Sequence, residues 1–187
     1  MYMKNEKIFE AIKFAVDAHS GQFRKGTEIP YIIHPLGVAK ILIENGCSEE
    51  VVITGILHDT VEDTTVTLDD IKKHFGERIV KFVEALSELN KEESWESRKK
   101  HTINNLKTAP MEVLLVTCAD KLDNLEAIQE DYNRYGETVW SRFNRPKSKQ
   151  AWYYQSIAEI LVSRIQDDLS KSFFTKYQSE AKRVFGS

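Results

Sequence analysis

Residues 51–63 read Val51-Val52-Ile53-Thr54-Gly55-Ile56-Leu57-His58-Asp59-Thr60-Val61-Glu62-Asp63. Four ionisable side chains interrupt an otherwise apolar run. On one helix His58 and Glu62 stack at i, i+4, and Asp59 and Asp63 stack beside them, so all four share one side. The residues before them are apolar nearly all the way round, which is the pattern of a buried helix. Three carboxylates and an imidazole indoors are costly unless something compensates their charge. A divalent cation does so directly. The stretch therefore predicts a buried helix that carries part of a metal site.

Outward from that run, the chain reads as helix after helix. Lys4 to Ser20 places Ile8, Ile12, Ala15, Val16 and His19 at helical spacing. Gly21 to Pro35 is predicted as a loop by its glycines and prolines. Leu36 to Glu44 is a short helix, with Pro35 at its start and Gly46 past its end. Ser48 is placed to cap the helix that carries the quoted run. Thr67 and Asp70 have the form of a capping box and open a helix to about His74. Gly76 interrupts the pattern before a helix from Ile79 to Leu89, and Asn90 to Ser97 is a polar connection. Arg98 to Leu106 is a basic helix. Pro110 opens another to about Tyr132, and Pro146 one to about Asp168. Glu112 to Ala119 is apolar enough for a buried strand. A lone strand has nothing to pair with, so helix is expected there too.

The expected architecture is all-α. A single domain over residues 1–187 bundles about ten helices around a central metal site. Its core spans about residues 4–168, and an amphipathic helix covers about 169–185. That tail either docks on its own core or covers a homodimer interface. Apolar content of 41% and charged content of 29% are ordinary for a soluble globular chain. A net charge of −3 offers no reason to expect nucleic-acid binding. The longest apolar runs are too short to span a bilayer, and no signal-peptide core follows Met1, so a cytoplasmic protein is expected. Cys47 and Cys118 make no disulfide framework and read as buried free thiols.

Two more polar intrusions stand out. His34 lies in Tyr31-Ile32-Ile33-His34-Pro35, and Asp120 and Asn124 stack at i, i+4 directly after the apolar run ending at Ala119. Each has a bland reading alone. A single buried histidine is more often a hydrogen-bonded core residue than a ligand, and Asp120 can simply cap a helix or pair with Lys121. Together, a His, a His-Asp and an Asp on three separate apolar elements point to one shared site.

The order His34, His58-Asp59, Asp120 resembles the HD superfamily of metal-dependent phosphohydrolases. Arg24 to Pro35, Leu57 to Thr64 and Ala119 to Leu125 are similar to the RelA/SpoT-type hydrolase domains. Trp140-Ser141-Arg142-Phe143-Asn144, followed by Trp152-Tyr153-Tyr154, resembles the small stand-alone alarmone hydrolases. At 187 residues, a stand-alone hydrolase domain is expected, without the synthetase and regulatory domains of the long bifunctional members.

The resemblance implies an HD-fold bundle and one divalent cation held by His34, His58, Asp59 and Asp120. This mixed nitrogen and oxygen set suits manganese or another octahedral metal. Glu62 and Asp63 would form the acid–base and water-positioning pair. The alternative for either is to orient a metal-ligating histidine by hydrogen bonding. Arg24 and Lys25 would meet the nucleotide, with Asn124 reaching the ribose or 3′ phosphates. Arg98, Lys99 and Lys100 either neutralise outer phosphates or form a solvated helix face. Trp140, Arg142, Tyr153 and Tyr154 either rim the pocket or belong to the core. His19, His74 and His101 are not spaced for a second metal.

The implied activity is hydrolysis of the 3′-pyrophosphate of guanosine 3′,5′-bis(diphosphate) and pentaphosphate, giving pyrophosphate and GDP or GTP. The partner is then a small nucleotide, with no nucleic acid and no membrane. Two alternatives stay open: the same chemistry on an adenosine alarmone or NADPH, and a non-catalytic alarmone-binding sensor. The loop Thr27-Glu28-Ile29-Pro30 replaces the usual Ser-Gly-Glu-Pro, and one residue is added before His34. That departure leaves the base open.

Overall fold

In the computed structural model, residues 6–88 and 92–186 are described. They form ten α-helices and one 3₁₀ helix, with no strand among the described residues. In order these are α1 (Glu6–Ala18), α2 (Ile33–Glu44), α3 (Glu49–Leu57), α4 (Thr60–Asp63) and α5 (Leu68–Phe75). Then follow α6 (Glu77–Leu86), α7 (Trp95–Leu106), α8 (Met111–Tyr135), the 3₁₀ helix (Gly136–Arg142), α9 (Lys147–Ser163) and α10 (Asp168–Phe185). The ends of the predicted Ile79–Leu89 helix and of the Asn90–Ser97 connection lie partly outside the described residues.

The axis of the bundle is α8. Its N-terminal half, Val113 to Ala119, is buried on every side, so the strand-like composition there marks a core helix. It packs against α2, α3, α6, α9 and α10. Close to it, α3 buries every residue from Val51 to Leu57. Gly55 makes the α2–α3 crossing possible: a Cβ there would lie 2.5 Å from Leu42 Cδ1. The terminal helix α10 docks on its own chain. Phe173, Phe174 and Tyr177 are fully buried, and the Tyr177 hydroxyl donates to the Tyr154 carbonyl at 3.0 Å. Full burial of three aromatic rings is a large stabilising contribution, roughly 2 kcal/mol or more each.

Several boundaries differ from those the pattern predicts: α6 already ends at Leu86, and α7 starts at Trp95 rather than Arg98 because the Ser94 side chain caps it, accepting the Ser97 N–H. His34 belongs to the first turn of α2 rather than to the preceding loop. The missing N–H of Pro35 costs a first turn nothing, so the helix starts two residues ahead of it. The run 51–63 is not one helix. It bends at His58-Asp59, where Asp59 takes φ −95°, ψ −7°. Side chains cause the bend: the His58 ring bonds to the Gly55 carbonyl at 2.7 Å, and the Thr60 hydroxyl to the Leu57 carbonyl at 2.7 Å. Such local bonds compete with the helical ladder. Finally, α9 stops at Ser163. Asp167 and Ser170 form a capping box that starts α10 instead of prolonging α9. Thr67 and Asp70 form the capping box expected of them. Ser48 stands at the N-cap of α3 but its side chain makes no capping bond.

Candidate active site

The first turn of α2, the bend after α3 and the middle of α8 converge. One ligand atom each from His34, His58 and Asp120 lies within 4.8 Å of the others. These residues are 24 and 62 positions apart in the chain, and only helix packing unites them. Asp59 stands beside both imidazoles, its Oδ2 at 3.6 Å from His34 Nε2 and 3.1 Å from His58 Nε2. His34 Nε2 is also 3.4 Å from Asp120 Oδ1.

The tautomers follow from the other ring atoms. The Gly55 carbonyl only accepts, so His58 Nδ1 donates to it and Nε2 is left with a lone pair. That Nε2 is buried and has no hydrogen-bond partner among the described residues. Its neighbour at 3.1 Å is a carboxylate oxygen, outside hydrogen-bond geometry. A lone pair facing a carboxylate indoors is costly unless a proton or a metal cation lies between them. His34 Nδ1 is 2.6 Å from Asp123 Oδ2, the carboxylate–histidine pairing that aims Nε2 at a metal. Two imidazoles and a carboxylate so arranged fit a divalent cation.

The electrostatics give the same answer. Burial alone would lower the His58 imidazole, but the adjacent Asp59 and Asp120 carboxylates outweigh it and push it up to about 9. His34 is raised against its burial by Asp120, Asp123 and Asp59. Burial would raise Asp59, and the two imidazoles hold it well below the usual carboxylate range. Asp120 is likewise held down against burial, chiefly by Lys121 at 2.7 Å. A site that attracts protons this strongly attracts metal ions for the same reason.

A cavity of about 870 Å³ opens over this group. Glu62 lines it, and its Oε2 accepts the Glu88 backbone N–H at 2.9 Å. Burial, the largest influence on Glu62, raises its carboxyl. Asp63 falls outside the lining. It lies behind Tyr31, whose hydroxyl is 2.5 Å from Asp59 Oδ2 and 3.4 Å from Asp63 Oδ2. Of the four residues expected on one helix side, His58, Asp59 and Glu62 line the cavity and Asp63, one position further round α4, does not.

The expected nucleotide contacts are also placed. Arg24 lines the cavity with Nη1 on Asp123 Oδ2 at 3.0 Å and Nη2 on Asn124 Oδ1 at 2.8 Å. Asn124 passes the link on, its Nδ2 donating to Asp120 Oδ1 at 2.7 Å. Lys25 lines the wall and bonds to Asn144 Oδ1 at 2.8 Å. Arg98 and Lys99 face the cavity, while Lys100 is exposed and outside it. Arg142, Tyr153 and Tyr154 line the wall; Trp140 instead makes tilted ring contacts with Phe143 and Phe185. Cys118 is buried and Cys47 partly so, both as free thiols.

Sequence reasoning assigned no role to Tyr31, Asp123 or Glu88. Asp123 had a local signal, one helical turn after Asp120. Tyr31 sits three residues before His34. Glu88 had none, because its partners depend on how α6 meets α7.

An all-helical bundle with this His/His/Asp group is the architecture of one known class. The HD domain family matches residues 11–147, and the chain belongs to it. Among similar proteins is the guanosine-3′,5′-bis(diphosphate) 3′-pyrophosphohydrolase of Aquifex aeolicus, 41% identical over 126 residues. That match covers 66% of this chain but only 18% of the relative, so the chain spans under a fifth of that protein's length. The guanosine-3′,5′-bis(diphosphate) 3′-pyrophosphohydrolase MESH1 of Mus musculus is 41% identical over 138 residues, covering 72% of this chain and 74% of the relative. A solved structure of a metazoan ortholog of SpoT, described as hydrolyzing ppGpp, superposes with a TM-score of 0.75 at 26% identity. The superposition covers 97% of this chain and 96% of that one. No described helix is long and apolar enough to cross a membrane.

Proposed function

We propose that the chain hydrolyses the 3′-pyrophosphate of guanosine 3′,5′-bis(diphosphate) and pentaphosphate, giving pyrophosphate and GDP or GTP, in the cytoplasm. The cofactor in this reading is one divalent cation, manganese, held by His34, His58, Asp59 and Asp120. One observation carries the proposal: two buried imidazoles and Asp120 bring one ligand atom each within 4.8 Å at a cavity that Glu62 also lines. Relatives named for this activity share the fold and cover most of the chain.

When bound, such a cation supplies Lewis-acid polarisation of the phosphoryl group and lowers the pKa of water. The residues do the rest. Glu62, raised by burial, is suited to take a proton from the attacking water. Asp59 faces that water directly, while Asp63, off the cavity wall, acts on it only through the Tyr31 hydroxyl that it shares with Asp59. Asp123 and the Gly55 carbonyl fix the two imidazole rings. Arg24 has its donors on Asp123 and Asn124, which leaves its planar face as the surface to meet a base. Lys25, Arg98 and Lys99 supply positive charge along the cavity wall.

The test is pyrophosphate release from the guanosine substrates by the manganese-loaded protein. No release from folded, metal-loaded protein rejects the reading. A second substrate reading rests on the altered loop, because Thr27 within it lines the cavity. Faster turnover of adenosine alarmones or NADPH would favour it. Tight nucleotide binding with no turnover would favour the sensor.

A further inference from the structure

On the cavity wall, the Glu88 carboxylate is gripped as a phosphate would be. Oε2 accepts from Arg98 Nη1 at 2.8 Å, and Oε1 from Lys99 Nζ at 2.6 Å and from the Thr102 hydroxyl at 3.0 Å. All three donors come from one face of α7, at i, i+1 and i+4. Glu88, Arg98, Lys99 and Thr102 all line the cavity. The grip has capacity to spare: Arg98 Nε is buried with no hydrogen-bond partner among the described residues. A planar carboxylate does not use it, whereas a tetrahedral phosphate has more acceptor oxygens. Glu88 is charged at neutral pH, because burial, which would raise its carboxyl, is outweighed by Lys99 and Thr102.

We infer that Arg98, Lys99 and Thr102 form an anion subsite for a phosphate group of the substrate that is not under attack, and that Glu88 is its resident occupant, displaced by the incoming phosphate. This rests on the proposed nucleotide phosphohydrolase reading and deepens it. Displacement also touches Glu62, which accepts the Glu88 backbone N–H. Binding at the subsite and the setting of Glu62 are thereby connected through one residue. The device favours ligands with enough charge to outcompete a carboxylate, which selects polyphosphorylated nucleotides over monophosphates.

The probe is inorganic pyrophosphate, titrated calorimetrically into the full-length, metal-loaded protein. Glu88→Gln removes the competing charge and keeps the shape. It is expected to bind pyrophosphate roughly tenfold tighter, the scale of one charge-assisted hydrogen bond. The gain should vanish in the Lys99→Ala background. Unchanged or weaker binding by Glu88→Gln overturns the inference. So does a gain that persists without Lys99, since that would reflect only the net charge of the cavity. Should Glu88→Gln fail to fold, Glu88→Asp serves instead. Its shorter carboxylate keeps the charge but cannot span both cations, so a smaller tightening is expected and none would be decisive against the idea. Guanosine-substrate turnover is measured separately. A protein inactive on those substrates but showing the Glu88 effect would refute the hydrolase reading and leave the subsite standing.

Discussion

Gly37 and Asp123 are packed so closely that a Cβ on Gly37 would overlap Asp123 Oδ1. The same carboxylate holds His34 through Nδ1 at 2.6 Å and Arg24 through Nη1 at 3.0 Å. A missing methyl group on α2 thus makes room for the residue that orients a buried imidazole. Gly37→Ala should push Asp123 away from both partners. Loss of such an outer partner typically costs about 10- to 100-fold in metal affinity or activity. The variant should show that loss in a metal titration while keeping its helical circular dichroism. Wild-type metal affinity in Gly37→Ala would mean Asp123 does not orient His34.

His58→Ala and Asp120→Ala each remove one member of the converging group. Both should copurify with little metal and lose turnover together. Metal content by elemental analysis is the readout that separates this from a purely catalytic defect. Full metal content in either variant shows that its side chain is not a ligand.

Glu62 makes a pH prediction. Burial raises its carboxyl above the ordinary value of 4.5. A proton acceptor works only when deprotonated, so kcat/KM should fall as pH drops through that raised pKa, an acid limb displaced upward from 4.5. Glu62→Gln should lower kcat by about 10²- to 10⁴-fold and erase the limb. Retention of the limb in the variant would assign it to another group.

The tail makes a stability prediction. Phe173 is fully buried where α10 meets α8 and α9. Phe173→Ala should destabilise the fold by about 3–5 kcal/mol, read from the denaturation midpoint at constant m-value. The loss should not depend on protein concentration, because the ring packs within its own chain. A concentration-dependent midpoint would instead point to an intermolecular role for α10.

The local parts of this protein are legible in its residues. The helical period exposes the buried character of α3 and α8, Thr67 and Asp70 announce their capping box, and polar intrusions into apolar runs single out His34, His58, Asp59 and Asp120. Those signals operate over one or two turns, where side-chain direction is dictated by the backbone. Tertiary structure alone decides the rest. It places the three metal-fitting residues within 4.8 Å, sets Glu62 on the cavity wall and Asp63 off it, and pairs Arg98 and Lys99 with Glu88. Those facts depend on crossing angles, on a glycine that admits Asp123, and on side chains that compete for carbonyls of the helix ladder. Periodicity says which face of a helix is apolar; only packing says which other helix that face will meet.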